Sequence, residues 1–246
     1  MRIGILTDIH ANREAFSACL AHARSHSVDR MLLLGDYVGY GADPIWAVET
    51  VMRLVDDGAV ALQGNHDAAV EDSDEDMNSL AQEAIRWTRA QLGPEHRAFL
   101  AGLPLIHEEG SVLYVHANGY APRSWDYISG PLDAVRHFSR VDSKITFCGH
   151  VHVPMLYHMS PTAKVGAFAP VADTDIPLLP TRSWLAVIGA VGQPRDGLAA
   201  ANYAVFDTAN QNLRYLRVPY DSAAAAAKIR RAGLPEALAL RLEQGR

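Results

Sequence analysis

The pattern of hydrophobic and polar positions near the N-terminus predicts short strands that alternate with helices. Three apolar runs have the length of buried strands, namely Arg2–Thr7, Arg30–Leu34 and Ala59–Leu62. Apolar residues at helical spacing predict a helix over Ala11–His26. A second helix is predicted to begin at Asp43-Pro44 and to end near Asp57, because an acidic N-cap precedes proline at the first helical position. This alternation predicts an α/β fold with a parallel sheet.

The rest of the chain follows a different pattern. Helices are predicted over Met77–Leu92, Pro94–Leu100 and Pro131–Phe138. Strand-like runs at shorter spacing, separated by turn signals, predict antiparallel pairing in the second half. These runs are Val112–Val115, Lys144–Cys148, Met155–His158, Trp184–Gly189, Tyr203–Phe206 and Leu213–Val218. The tail is rich in alanine and leucine and predicts two helices broken at Gly233-Leu234-Pro235.

These elements predict one domain rather than two. We expect residues 1–220 to form that domain, with a helical excursion at about 77–102. Residues 221–246 are expected to form a C-terminal helical tail that packs on the same domain.

Composition and charge narrow the functional classes. The 246 residues carry a formal net charge of -6, from 28 acidic and 22 basic residues. An acidic chain lacks the basic footprint that binds nucleic-acid backbone, so a nucleic-acid partner is not expected. No apolar run has the length needed to cross a bilayer, and two cysteines are too few for a disulfide framework. We therefore expect a cytoplasmic protein without a membrane partner, and the sequence leaves its oligomeric state open.

Aspartate, asparagine and histidine residues follow five of the predicted strands. They are Asp8 and His10, Asp36, Asn65 and His66, His116, and His150 and His152. In α/β sheets the carboxyl ends of strands converge on the ligand site, so five strand ends can deliver these side chains to one place. A single residue of this kind is usually a cap or a turn former, and the inference therefore depends on the joint pattern.

The spacing and chemistry of these residues predict a metal site. Residues two apart in extended chain point the same way, so Asp8 and His10 can reach one centre together. The same holds for His150 and His152. Carboxylate and imidazole together suit Mn, Fe, Zn, Co or Ni. The candidates exceed the needs of one tetrahedral site and suffice for two ions that share a carboxylate, a geometry that serves displacement at phosphorus.

Five short motifs, in this order, resemble the calcineurin-like metallophosphoesterase family. They are Asp8-Ile9-His10, Gly35-Asp36, Gly64-Asn65-His66-Asp67, His116 and Gly149-His150-Val151-His152. The segments 35–41 and 191–197 are further similar to its small bacterial metallophosphoesterase and phosphodiesterase subgroup. The resemblance implies an α/β fold of two packed mixed β-sheets flanked by helices, with the metals at the strand ends.

The resemblance also implies a role for each motif residue. The first metal would be held by Asp8, His10 and His152, the second by Asn65, His116 and His150, and both by the bridging Asp36. The cofactors would be two divalent ions, with manganese first and Fe, Zn, Ni or Co as alternatives. A water between the ions would attack phosphorus, and the substrate would be a small phosphodiester or phosphomonoester.

Three further residues complete the implied site. His66 would not bind metal but would protonate the leaving oxygen or stabilise its charge, with Asp67 orienting its ring. Asn12, two residues past His10, would contact the substrate phosphate. The remaining histidines, among them His137 and His158, are expected to be structural or surface residues.

One departure from the family limits the choice of activity. Animal-type Ser/Thr protein phosphatases carry Asp-Arg-Gly where this chain has Gly39-Tyr40-Gly41, so their phosphate-clamping arginine is missing. Arg123 and Arg195 are candidate substitutes. A phosphoprotein phosphatase and a nuclease on the same metal site stay alternatives, and a non-catalytic scaffold is a remote third. The acidic run Glu71–Asp76 is expected to be a solvated loop, which would repel bulky anionic substrates if it overhung the site.

Overall fold

The computed structural model describes residues 1–71 and 77–246, which form two six-stranded mixed β-sheets flanked by helices. The strands are β1 (Arg2–Leu6), β2 (Arg30–Leu33), β3 (Val60–Ala61), β4 (Ile106–Glu109), β5 (Val112–Val115), β6 (Ile145–Cys148), β7 (Met155–Met159), β8 (Val165–Phe168), β9 (Asp175–Pro177), β10 (Ser183–Val187), β11 (Ala200–Asp207) and β12 (Asn212–Pro219). The helices are α1 (Arg13–Ser25), α2 (Pro44–Asp56), α3 (Asn65–Ala68), α4 (Ser79–Gln91), α5 (Pro94–Ala101), α6 (Pro131–Phe138), α7 (Ser222–Arg231) and α8 (Glu236–Gln244). The predicted fold class is confirmed.

The first sheet has the strand order β3-β2-β1-β11-β12-β9. Strands β1, β2 and β3 are parallel, as the alternating pattern predicts, and β11 joins β1 in antiparallel orientation. Because parallel strands end at the same edge of a sheet, the segments after β1, β2 and β3 meet there.

The second sheet has the order β4-β5-β6-β10-β7-β8. Antiparallel pairing is correctly predicted for β7 with β10 and for β11 with β12. It is wrong for β5, β6 and β10, which run parallel. The connection from β5 to β6 contains α6, and such a long crossover permits a parallel neighbour. Because β5 and β6 are parallel, the segments that follow them also meet at one edge.

The two sheets pack face to face through apolar side chains. Phe147 of β6 and Phe206 of β11 lie in contact across the interface, with 5.2 Å between ring centroids. On the outer faces, Phe16 of α1 packs in the core of the first sheet and Ala134 of α6 in that of the second. Strands covered on both faces bury nearly every side chain, which explains their continuous apolar runs.

Strands β4, β8 and β9 and the short helix α3 have no counterpart in the sequence prediction. Strand β4 reads Ile-His-Glu-Glu, β8 contains glycine, and β9 ends in proline. All three strands lie at sheet edges, where one side faces no neighbouring strand. Edge strands need no apolar run on both faces, and the pattern therefore does not reveal them.

The C-terminal helices α7 and α8 pack against the rest of the chain. Ala226, Ile229 and Leu238 lie in one apolar cluster with Ala84 of α4 and with Tyr40. The Lys228 ammonium lies 2.7 Å from a Glu14 carboxylate oxygen and 2.6 Å from one of Asp43, which ties α7 to the start of α1 and α2. Residues 72–76 of the acidic run lie outside the described residues. Across 1–71 and 77–246, no helix has both the length and the apolar character to cross a membrane.

Candidate metal centre

The side chains that follow five strands meet at one edge shared by the two sheets. The segments after β1, β2 and β3 supply Asp8, His10, Asp36 and Asn65, and those after β5 and β6 supply His116, His150 and His152. All seven side chains are buried. The structure therefore brings together every residue predicted as a metal ligand.

The first group consists of Asp8, His10 and His152. Nε2 of His152 lies 3.1 Å from Oδ1 of Asp8 and 3.1 Å from Nε2 of His10. These three ligand atoms lie within 4.8 Å of one another, so they could hold one ion. The long sequence separation shows that the fold, and not local sequence, assembles the group.

The second group consists of Asp36, His116 and His150, with Asn65 beside it. Nε2 of His116 lies 3.4 Å from Oδ2 of Asp36, 3.2 Å from Nδ1 of His150 and 3.2 Å from Oδ1 of Asn65. Oδ2 of Asp36 also lies 3.7 Å from Nε2 of His10 in the first group. One carboxylate oxygen thus lies between the two groups, as a bridging ligand requires.

Hydrogen bonds to backbone carbonyls orient three of the imidazoles. Nδ1 of His10 pairs with the Val38 carbonyl at 3.0 Å, that of His116 with Leu34 at 2.9 Å, and that of His152 with Gln193 at 2.7 Å. A carbonyl only accepts, so each neutral ring carries its proton on Nδ1 and presents the Nε2 lone pair inward.

The inward-facing atoms would repel one another without a cation. The facing Nε2 atoms of His10 and His152 both present lone pairs, and Oδ1 of Asp8 beside them has no hydrogen-bond donor among the described residues. Buried lone pairs of this kind need a proton or a metal ion to satisfy them. The donor set of carboxylate, imidazole and amide oxygen fits first-row divalent metals.

Each aspartate divides its two oxygens between the backbone and the site. Oδ2 of Asp8 accepts from the Thr7 hydroxyl at 2.8 Å and from the His150 N–H at 2.9 Å. Oδ1 of Asp36 accepts from the His66 N–H at 2.8 Å. The remaining oxygen of each carboxylate faces the histidines, which fixes its direction before any ion binds.

Five of the ligand residues have left-handed backbone conformations. They are Asp8, His10, Asp36, His150 and His152, with φ values of 54°, 49°, 56°, 66° and 65°. Non-glycine residues adopt this region uncommonly, although Asp and His are enriched there. The sharp turns at the strand ends are what direct these side chains into the site.

Two glycines make room for the carboxylates. A Cβ on Gly149 would lie 2.5 Å from Oδ2 of Asp8 and would overlap the Thr7 hydroxyl. A Cβ on Gly64 would overlap Oδ1 of Asp36. The glycines before His150 and Asn65 are therefore needed for close packing against the ligands.

His66 lies beside the ligands and faces the pocket. Its ring stands edge-on to that of His10, with 4.8 Å between ring centroids. One possible ligand atom from each of His66, His10 and Asp36 also lies within 4.8 Å of the other two. Its Nδ1 is buried without a hydrogen-bond partner among the described residues. The assignment of His66 to leaving-group chemistry and not to metal binding stays a prediction.

Asp67 hydrogen-bonds to the backbone around the site, and its role of orienting the His66 ring stays a prediction. Its carboxylate accepts hydrogen bonds from the N–H groups of Asp36 at 2.7 Å, Tyr37 at 2.9 Å and Gly64 at 3.0 Å. Both oxygens are thus used by backbone donors. Burial and the charge of Asp36 raise the pKa of Asp67 to about 8. Asp67 fixes the turns after β2 and β3, and acts on the ligands through the backbone.

Asn12 bonds to the backbone through its side chain, and its role as a phosphate contact stays a prediction. Its Oδ1 accepts from the Ala15 N–H at 3.1 Å, which makes Asn12 the N-cap of α1. Its amide group donates to the Gly192 carbonyl at 2.8 Å. The side chain is 3% exposed and does not border the pocket. Asn12 therefore ties segment 191–197 to the start of α1.

Burial and charge move the pKa values of the site in opposite directions. Burial lowers the pKa of His66 to about 4 and that of His150 to about 3. Burial opposes protonation of His116 as well, but the Asp36 carboxylate outweighs it and raises the pKa of His116 to about 9. Burial would raise the pKa of Asp36, whereas the charges of His116 and His66 hold it well below its ordinary value. Because deprotonated ligands bind metals, His116 would have to lose its proton before it could hold an ion.

A cavity of about 390 Å³ opens above the ligand residues. Its polar lining includes His66, Asn78, Arg123 and Arg195. Aromatic residues that the sequence analysis missed also line it, namely Tyr40, Trp125 and Tyr127. The Tyr127 ring stacks on His150 at 4.1 Å between centroids and remains 51% exposed. The position of Tyr40 in the segment after Asp36 was the one available signal.

Comparisons with known proteins agree with this geometry. Residues 1–211 match the calcineurin-like phosphoesterase superfamily domain. An uncharacterised protein of Methanocaldococcus jannaschii is 34% identical over 251 residues, covering 99% of this chain and 98% of that protein. The crystal structure of a metallophosphoesterase from Sphaerobacter thermophilus covers 100% of both chains at 36% identity, with a TM-score of 0.86.

A more distant structure shares the fold alone. A hypothetical protein from Pyrococcus horikoshii OT3 has a TM-score of 0.80 at 17% identity, covering 100% of this chain and 98% of that one. The buried carboxylate and imidazole groups at the strand ends, the two mixed sheets and the matched domain have one common explanation. This chain belongs to the calcineurin-like phosphoesterase superfamily.

Proposed function

We propose that this protein hydrolyses a small phosphate ester, a diester or a monoester, with two divalent metal ions. The observation that carries the proposal is the position of Asp36. Its Oδ2 atom lies 3.7 Å from Nε2 of His10 and 3.4 Å from Nε2 of His116, between two groups of buried ligands. A shared carboxylate between two ligand sets is the arrangement that a dinuclear centre requires.

The ligand residues divide between two ions. The first ion is assigned to Asp8, His10 and His152, the second to Asn65, His116 and His150, and Asp36 is assigned to both. When bound, two such ions supply an activated water and neutralise charge on the phosphoryl oxygens. Manganese is the first candidate, and Fe, Zn, Ni and Co suit the same donors.

His66 is assigned to the leaving group. It borders the pocket beside Asp36 and Asn65, and its backbone N–H donates to the Asp36 carboxylate at 2.8 Å. From this position its ring donates a proton or a hydrogen bond to the oxygen that leaves phosphorus. The phosphorus–oxygen bond to that leaving group breaks as water oxygen bonds to phosphorus, and no enzyme side chain is esterified.

The pocket favours a small substrate over a folded phosphoprotein. Its volume of about 390 Å³ lies in the range of small-molecule sites. A side chain on Gly39 would overlap the His66 ring, so the segment after Asp36 lies directly against the leaving-group residue. The negative net charge of the chain also counts against a nuclease.

The test is an ester panel assayed on metal-stripped protein with each metal added back. The panel contains an alkyl phosphodiester, a nitrophenyl phosphodiester, a nitrophenyl phosphomonoester and a phosphopeptide. We expect metal-dependent turnover of at least one small ester, with two ions bound per chain by elemental analysis. A preference for the phosphopeptide would favour the phosphatase alternative. Absence of turnover with every metal and ester would contradict the proposal and favour the scaffold.

A further inference from the structure

Two arginines from different parts of the chain meet at Gln193 beside the pocket. Nη2 and Nε of Arg195 donate to Oε1 of Gln193 at 2.8 and 3.2 Å, and Nη1 of Arg241 donates to the same oxygen at 3.4 Å. Both guanidinium groups also lie 5.8 Å from the ring centroid of Tyr40. Two like charges are thus held together by one carboxamide oxygen and one aromatic ring.

Arg195 and Arg123 both line the pocket, and Arg195 is the more firmly fixed of the two side chains. Its backbone N–H donates to the carbonyl of His152, a predicted metal ligand, at 3.2 Å. Its side chain is half-buried, whereas Arg123 is exposed at the rim. Arg195 lines the pocket together with His66, Tyr40 and Tyr127, so its charge faces the space where an anion would bind.

Gln193 connects Arg195 to the ligand residues. Its side chain is 1% exposed, and its backbone carbonyl accepts from Nδ1 of His152 at 2.7 Å. The preceding Gly192 N–H donates to the Asp8 carbonyl at 2.8 Å, and its Cα approaches Ile9 too closely for any Cβ. The backbone of Gln193 is therefore fixed relative to the metal site, and its carboxamide oxygen is a fixed acceptor.

Arg241 reaches this acceptor from helix α8, outside the matched family domain. The C-terminal end of α8 is joined to segment 191–197, which contains Gln193, because the Gly197 N–H donates to the Gly245 carbonyl at 2.8 Å. Leu238 and Leu242 of α8 are buried in the cluster that contains Tyr40. The C-terminal helix thus holds Arg241 against the outer side of the residues that hold Arg195.

We propose that Arg195 binds the phosphoryl group of the substrate and that Arg241 is a positioning residue that holds Arg195 in its binding orientation. Because Nε and Nη2 of Arg195 donate to Gln193, the Nη1 group is the one assigned to an anion in the pocket. Arg241 shares the same acceptor and repels Arg195 from the tail side. This inference rests on the proposed function and makes the C-terminal helix part of phosphate recognition.

The experiment measures binding of inorganic phosphate to the manganese-loaded protein by titration calorimetry, without turnover. The variants are Arg195→Gln, Arg241→Gln and the double variant. Arg123→Gln is the control within the pocket. Arg230→Gln is the control within the tail, because Arg230 pairs only with Glu236 and Glu243 among the side chains of the described residues. Arg241→Met keeps an apolar stem against Tyr40 and replaces Arg241→Gln if that variant unfolds.

We expect Arg195→Gln to weaken phosphate binding about 10–100-fold, the range for a lost hydrogen bond to a charged group. Arg241→Gln should weaken it about 3–10-fold, and the double variant should bind no more weakly than Arg195→Gln alone, because Arg241 acts through Arg195. Arg123→Gln should weaken binding less than Arg195→Gln, and Arg230→Gln should not change it. Manganese content should be equal in all variants.

Three results would overturn the inference. Unchanged phosphate affinity in Arg195→Gln would show that Arg195 does not bind the phosphoryl group. Additive losses in the double variant would show that Arg241 does not act through Arg195. Loss of manganese in Arg241→Gln would assign the effect to the metal site. Because the measurement needs no turnover, a protein inactive on every ester that still shows these affinity losses keeps the inference and loses the proposed activity. An active protein without them gives the reverse result.

Discussion

The floor of the pocket and its wall are built in different ways. We use the word floor for the seven predicted metal ligands, which follow strands and are held by backbone carbonyls and N–H groups. Four of them, Asp36, Asn65, His150 and His152, border the pocket directly. The wall, formed by Tyr40, Trp125, Tyr127 and Arg195, comes from loops, and its residues Tyr40 and Arg195 lie beside the C-terminal helix α8. Strand ends therefore fix the residues assigned to chemistry, whereas long-range packing shapes the surface that meets the substrate.

The largest expected effect comes from the shared ligand in the floor. Asp36→Asn keeps the shape of the side chain but removes the negative charge between two cations. We expect loss of both ions and a fall in turnover of about 10³-fold or more, since metal ions supply several kcal/mol of charge stabilisation. Elemental analysis and the esterase assay measure the two effects. The control is Asn65→Ala, which removes a ligand of one group only and should retain one ion. If Asp36→Asn keeps both ions and full turnover, Asp36 does not bridge.

His66 lies where floor and wall meet, and its replacement separates binding from chemistry. His66→Asn is expected to retain both ions and to lose about 10²–10⁴-fold in turnover of an alkyl ester. The loss should be smaller for a nitrophenyl ester, because that leaving group needs little protonation. His158→Asn, outside the pocket, should leave turnover unchanged. Equal losses on both esters would assign His66 to phosphate binding, and loss of an ion would make it a ligand.

A single added methyl group in the floor tests how tightly its ligands are packed. In Gly149→Ala the new Cβ meets Oδ2 of Asp8 and the Thr7 hydroxyl, and it should displace the Asp8 carboxylate. We expect metal affinity to fall about 10–100-fold, the usual cost of disturbing the residues that orient a ligand. Gly130→Ala is the control, because a Cβ there meets nothing within 4 Å. Metal titration monitored together with circular dichroism measures affinity in folded protein, and equal affinities would mean that the floor adapts.

The smallest expected effect concerns His137, a buried histidine outside the floor. Its Nε2 lies 3.0 Å from the Thr146 hydroxyl, and burial lowers its pKa to about 4. The unfolded chain therefore binds a proton near pH 6.5 that the folded chain does not, so this contribution to stability is full above pH 6.5 and is lost as pH falls towards 4. In His137→Gln the free energy of unfolding should fall less steeply in this window, by up to about 1.4 kcal/mol per pH unit. Urea unfolding of metal-free protein at several pH values gives the slopes, and equal slopes would contradict the assignment.

The same division between floor and wall explains what the sequence could predict. Asp8, His116 and His152 follow apolar runs that are readable as strands, and parallel strand ends have only one place to meet. Gln193 and Arg241, by contrast, lie 48 residues apart, and their contact depends on where the tail packs. No periodicity or spacing encodes such a contact.

The roles of Asn12 and Asp67 stay predictions, but their hydrogen bonds in the structure were not evident from the sequence. The first helix was predicted from Ala11 but begins at Arg13, which makes Asn12 its N-cap. The predicted helix boundary, two residues too early, therefore did not identify Asn12 as a capping residue. Asp67 adjoins His66 in sequence, yet its acceptors are used by N–H groups of Asp36 and Tyr37 from the neighbouring strand. Sequence adjacency says little about partners where turns from several strands converge.

The left-handed backbone at five ligand residues has a consequence for how this protein can change over generations. Each such residue costs roughly 1–2 kcal/mol relative to glycine, which adopts that region freely. Glycine at one of these positions would relieve that backbone cost, but at Asp8 or Asp36 it would also leave the N–H groups of His150 and His66 without their acceptors. A lineage released from selection on the site is therefore expected to admit glycine at His10, His150 and His152 before Asp8 and Asp36.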